Sequence, residues 1–223
     1  MTASGASENR PPHMALDPLE ELDMTGPRML ETLARMRAGL AYIALAAVAN
    51  AGLTLSAAAD PLGLEPLREG DMRKLTVHAE PQPGSDAAFE SADGGEMTLA
   101  AYEGQVVLLN FWATWCAPCR HEMPALSQLQ TELGGEDFAV VTVAAGRNAP
   151  AAMARFFDEI AVDNLPLHRD PQQSLAREMG VLGLPVTILL DRDGTELARL
   201  QGGADWATDS ARAIVRAAMG VEG

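Results

Sequence analysis

Residues 105–111, with Val106-Val107-Leu108-Leu109 at their centre, end four positions before Trp115-Cys116-Ala117-Pro118-Cys119. A continuous apolar run of that length is the pattern of a strand covered on both faces. From Cys119 onward Met123, Leu126, Leu129 and Leu133 recur at helical spacing, so the segment reads strand, loop, helix. Cys116 and Cys119 are the only cysteines, and a disulfide between them would close a loop too short to stabilise the chain much. The pair therefore reads as chemistry rather than as a staple. Cys116 falls just before the first helical turn, where unpaired N–H groups and the helix dipole favour a thiolate. That makes Cys116 the attacking nucleophile and Cys119, one turn further in, the cysteine that resolves a mixed disulfide. Pro118 suits the opening turn because its missing N–H would have had no partner there.

The flanking pattern predicts one α/β domain over about 72–223. Asp93-Gly94-Gly95 marks a hairpin between residues 88–91 and 96–99, and Asp193-Gly194 marks another between 186–191 and 195–200. Residues 138–144 read as a second buried strand, and 151–160, 172–179 and 208–219 as helices.

Ahead of the domain, residues 38–59 are 22 positions without a charge, enough at about 1.5 Å per residue to cross a hydrocarbon core of roughly 30 Å. The reading is a tail over 1–37, a transmembrane anchor over 38–59 and a linker over 60–71 containing Pro61, Pro66 and Gly70. A cleaved signal peptide is the alternative, since Ala57-Ala58-Ala59 has the small-residue pattern of a cleavage site. Arg28, Arg35 and Arg37 before the span, against Arg68 after it, lean towards a cytoplasmic N-terminus. The 16 Lys and Arg against 31 Asp and Glu give a net charge of −15, which argues against a nucleic-acid partner. Lys74 is the only lysine.

The segment from Asn110 through Phe111-Trp112-Ala113-Thr114-Trp115 to Cys119 resembles the active-site segment of the thioredoxin superfamily. More closely, the chain is similar to the TlpA-like membrane-anchored thiol:disulfide oxidoreductases from about residue 75 onward, including Asp191-Arg192-Asp193-Gly194 and Ala204-Asp205-Trp206. The resemblance implies a thioredoxin-like fold, a central mixed sheet flanked by helices, held at a bacterial inner membrane with the domain in the periplasm. It implies reduction of disulfides in exported proteins, either apocytochromes c before haem attachment or copper-site proteins of cytochrome oxidase assembly. It also implies a membrane thiol donor of the DsbD or CcdA type, and no cofactor.

By the same resemblance Pro185 is a cis-proline facing the disulfide, and Leu184, Pro185 and Trp115 contact the substrate, while Trp112 belongs to the core. Glu122, three residues past Cys119 on the same helix face, matches a glutamate of that family. Many thioredoxins carry a proton-relaying Asp where this chain has Asn110, so Glu122 is the candidate replacement; a solvated helix glutamate is the plainer alternative. Other uses of Cys-x-x-Cys fit less well. Arg120 stands where haem attachment needs a histidine, and His78, His121 and His168 form no second ligand pair for zinc. A copper carrier using both thiols and a histidine stays open as an alternative.

Overall fold

The computed structural model describes residues 60 and 62–221. Eight strands form one mixed sheet: β1 Thr76–Gln82, β2 Phe89–Glu90, β3 Glu96–Met97, β4 Val106–Trp112, β5 Phe138–Ala145, β6 His168–Asp170, β7 Val186–Leu190 and β8 Glu196–Gln201. Their spatial order is β1-β8-β7-β4-β5-β6-β2-β3. β4 lies between β5, parallel to it, and β7, antiparallel to it. Four helices complete the domain: α1 Ala117–Leu133, α2 Pro150–Glu159, α3 Ser174–Glu178 and α4 Asp209–Met219.

All seven residues of β4 are buried, and strand alternation divides them between two cores. Val106, Leu108 and Trp112 join Met123, Leu126 and Leu129 of α1, Phe156 and Phe157 of α2, and Ile214 and Val215 of α4. Val107, Leu109 and Phe111 join Leu175 and Ala176 of α3 on the opposite face. Each fully buried Leu or Met contributes roughly 1.5–3 kcal/mol, so the three from α1 alone fix that helix against the sheet. Trp112, the expected core tryptophan, stacks on Phe157 with ring centroids 5.3 Å apart. Pro124 stands at an exposed position inside an unbroken helix.

Both expected hairpins form, although the first is reduced to paired dipeptides, Phe89 opposite Met97 and Glu90 opposite Glu96. Gly194 adopts a φ of 78° in the second, as the Asp-Gly turn requires. Two strands have no counterpart in the sequence reading. β1 is an edge strand whose residues are mostly exposed, and its Thr-Val-His-Ala-Glu-Pro-Gln sequence carries no apolar alternation. It is tied to β8 by buried Glu196, which pairs with both His78 and Arg199. β6 has only three residues, too few for a periodicity. Its His168 is kept neutral by burial, which lowers its pKa. Nδ1 accepts the Ala92 N–H at 2.9 Å, which leaves the Nε2–H to donate to the Tyr102 hydroxyl at 2.7 Å.

Of residues 60–71, expected as a linker, the described ones, 60 and 62–71, are built into the domain. The Asp60 carboxylate accepts the N–H groups of Leu64 and Glu65, Leu64 is fully buried, and Ser210 of α4 donates to the Leu67 carbonyl at 2.6 Å. Pro66 and Gly70 lie in two tight 3-10 turns, Glu65–Leu67 and Gly70–Lys74, rather than in a free tether. Among the described residues no helix is long and apolar enough to cross a membrane; residues 38–59 lie outside them. Leu64→Ala is expected to lower stability by about 2–5 kcal/mol in denaturant unfolding, as for a buried leucine, whereas a linker position would change it by less than about 0.5.

Candidate active site

The site is assembled where β4 ends and α1 begins. Because β4 is pinned between two neighbours, the turn that follows it starts from a fixed point. Cys116 is the N-cap of α1, and its Sγ accepts the Cys119 N–H at 3.3 Å. One orphan donor of the helix thus already points at the sulfur that is to carry negative charge. Cys116 and Cys119 form a disulfide, with Cys116 6% exposed and Cys119 fully buried. Only the first cysteine keeps any exposed surface. Trp115 beside it is 67% exposed, an unusual position for a large aromatic side chain.

The loop entering the helix is held from the side by Asn148, a buried residue between β5 and α2. Its Oδ1 accepts both the N–H and the hydroxyl of Thr114, at 2.8 and 2.9 Å, while its Nδ2 donates to the Ala145 carbonyl at 3.0 Å. Nothing in the sequence marks Asn148 beyond a loop asparagine near Pro150, because its partner lies 34 positions away.

The Leu184–Pro185 peptide is cis, as expected. Val186 pairs with Phe111, so Pro185 is one residue beyond that pair, beside the end of β4 that leads into the cysteine turn. Pro185 is buried and Leu184 half-buried against the core that contains both cysteines. Leu182, two residues earlier in the same loop, is fully exposed and was not singled out from the sequence.

Glu122 is not a solvated helix residue. It is only 2% exposed; Asn110 Nδ2 donates to Oε1 at 2.8 Å and the Ala204 N–H donates to Oε2 at 3.2 Å. Burial pushes its pKa up to about 7, against the opposing pull of Asn110, Ala204 and, more weakly, Lys74. The Trp206 indole N–H is near enough to favour the carboxylate but makes no hydrogen bond of normal geometry. Asn110 also donates to the Thr187 hydroxyl at 2.9 Å, and its own Oδ1 has no partner. Turned over, the amide would present Oδ1 to Glu122 and accept from the protonated acid. Asn110 can thus follow a proton that it cannot itself carry. Glu122 opens on one side into a cleft of about 500 Å³ that Pro118, His121, Gly203 and Asp205 help to line. His121 is exposed there. Among the described residues no cluster of three or more His, Cys, Asp or Glu side chains is placed to hold a metal ion.

A mixed sheet with a cysteine pair at the N-terminus of its active-site helix, opposite a cis-proline, defines a thioredoxin-fold protein of the thiol:disulfide-exchanging class. The chain belongs to the AhpC/TSA family, whose model matches residues 82–195. It is 32% identical over 115 residues to the thioredoxin-like protein YneN of Bacillus subtilis, covering 52% of this chain and 67% of that one. To the thiol-disulfide oxidoreductase ResA of Geobacillus thermodenitrificans it is 33% identical, over 49% of this chain and 62% of the relative. To the thiol:disulfide interchange protein HelX of Rhodobacter capsulatus it is 32% identical, over 56% and 64%. These matches thus span about two thirds of the relatives' own lengths. Among solved structures, a thiol:disulfide interchange protein DsbE from Chlorobium tepidum superposes with a TM-score of 0.56 at 28% identity, over 63% of this chain and 97% of that one. The resemblance to TlpA-like oxidoreductases is borne out by these relatives.

The buried carboxyl gives a pH test. Folding raises the Glu122 pKa from about 4.5 to about 7, so the folded state gains protons relative to the unfolded one between those values. The native state is therefore most favoured below pH 4.5 on this account and loses on the order of 3 kcal/mol as pH rises through 7. Glu122→Gln should flatten that part of the stability curve measured by denaturant unfolding from pH 4.5 to 8. An unchanged slope would mean that Glu122 titrates as a solvated acid.

Proposed function

We propose that the chain is a membrane-anchored protein-disulfide reductase, held by residues 38–59, whose domain works in the periplasm of a bacterium on disulfides of exported proteins. The observation that carries the chemistry is the asymmetry of the pair: Cys116 caps the helix and reaches the surface, while Cys119 is buried one turn on, on the same helix as Glu122.

In the first step the Cys116 thiolate attacks one sulfur of a target disulfide, and the other target sulfur leaves as a thiolate. Trp115 and the loop of Leu184 and Pro185 form the docking surface for the target backbone. In the second step Cys119 loses its proton to the Glu122 carboxylate and attacks Cys116 Sγ, releasing the second target thiolate. The target has gained two electrons, and the Cys116–Cys119 disulfide has formed. A carboxyl with a pKa near 7 suits that transfer, being partly ionised at the working pH and able to return the proton. Two electrons from a membrane dithiol donor of the DsbD or CcdA type then restore the reduced pair. Apocytochromes c and copper-site proteins of cytochrome oxidase assembly are the substrate classes that the TlpA-like resemblance supports. The copper-carrier reading gains no supporting observation, since no third donor joins the two sulfurs among the described residues.

Cys116→Ser should abolish reduction of a protein disulfide, and Cys119→Ser should accumulate a covalent adduct through Cys116 that non-reducing electrophoresis and mass spectrometry identify. Normal turnover by Cys119→Ser, or an adduct through Cys119, would reverse the roles. For the anchor, the full chain should stay with membranes after alkaline extraction, and a reporter active only outside the cytoplasm should work when fused after Gly223. Release of a shortened chain starting near Asp60 would identify 38–59 as a cleaved leader.

A further inference from the structure

The chain's one lysine is linked through a loop to Glu122, the buried acid of raised pKa. Lys74 ends the 3-10 turn Gly70–Lys74. Its Nζ donates to the Gly203 carbonyl at 3.0 Å and pairs with Asp71 at 2.7 Å. Asp71 in turn accepts the Asp205 N–H at 3.1 Å. These contacts seize the loop on both sides of Ala204, whose own N–H is the donor to Glu122 Oε2. The loop is also fitted closely to the start of α1. A Cβ on Gly203 would lie 3.5 Å from Pro118 Cβ and 3.9 Å from Glu122 Oε2.

We propose that Lys74 and Asp71 form a clamp that holds the 203–205 loop on Glu122 and thereby sets the pH range over which Cys119 is activated; this rests on Glu122 being the base in the second step. Lys74 and Asp71 touch neither sulfur, so both are positioning residues.

Lys74 acts in two ways of the same sign. Holding Ala204 in place keeps its N–H on the carboxylate, and the ammonium charge favours the ionised form directly. The Lys74 hydrogen bond, and after it the Asp205 N–H, hold the Asp71 carboxyl below its ordinary range, so the clamp stays charged throughout neutral pH. The other ionisable groups around the cleft are His121 on α1 and Asp205 on the loop. Asn110 and Thr187 contribute only neutral dipoles from the strand side. An exposed ion pair of this kind is worth little to overall stability, which separates a tuning role from a structural one.

The test uses the full chain with Lys74→Met, Lys74→Arg and Glu122→Gln. In the oxidised protein, the infrared band of the protonated carboxyl that disappears in Glu122→Gln reports Glu122 alone. With Lys74→Met that band should titrate at higher pH, by about half a unit, and decay of the mixed disulfide in stopped flow should slow about threefold at pH 6. Lys74→Arg, keeping charge and donor, should restore both. In a Glu122→Gln background Lys74→Met should have no further effect on the decay. An unmoved infrared titration, or an Arg variant that behaves like Met, would overturn the clamp while leaving Glu122 as the base. Decay in Glu122→Gln that matches the unmodified chain at every pH would overturn the base itself, and the clamp with it.

Discussion

A helix begins with N–H groups that have no partners inside it, and the chemistry of this domain is arranged around those at the start of α1. Their position is set from outside the helix. β4 is fixed by parallel β5 and antiparallel β7, and its seven buried residues leave it no freedom to shift register. The turn from Ala113 to Cys116 can then be short, and the first sulfur becomes the cap of the helix. Asn148 prevents the turn from opening sideways through its two hydrogen bonds to Thr114. The sheet therefore supplies the precision and the helix end supplies the electrostatics.

The second sulfur is governed differently. Around Glu122 the protein has placed a carboxyl where water is scarce, and has partly compensated with an amide, a backbone N–H and a distant ammonium. Full compensation would leave an ordinary carboxylate, and none would leave a permanently neutral acid. The balance near neutrality is what allows a proton to move both ways. Asn110 fits this role better than an aspartate would, since a second acid at that distance would drive one of the two neutral.

The strand, the cysteine turn and the helix could be read from residues 105–133 because apolar runs and helical spacing are local signals. So could the hairpin turns, which follow from Asp-Gly pairs, whereas the cis-proline at Pro185 followed only from the resemblance to the thioredoxin superfamily. β1 and β6 could not, one being a polar edge strand and the other too short for a pattern. Residues 60–71 misled for a clear reason: Pro61, Pro66 and Gly70 mark tight turns and loose tethers alike, and only the burial of Leu64 distinguishes them. Within the site, both cysteines and Glu122 stood out, but Thr187, Ala204 and Lys74 did not. Their importance comes from contacts across 77, 82 and 129 positions, respectively, which no local pattern encodes.

The central claim is that the pair is built to give electrons. A strong oxidant in this class is one whose reduced form is stabilised as a thiolate, and a buried carboxyl on the same helix as Cys119 works against that. The most direct test is the equilibrium potential of the Cys116–Cys119 couple, titrated against glutathione or dithiothreitol at pH 7. The account predicts a value near thioredoxin's, about −270 mV, rising in Glu122→Gln; a value near about −120 mV, as in a dedicated oxidant, would contradict it.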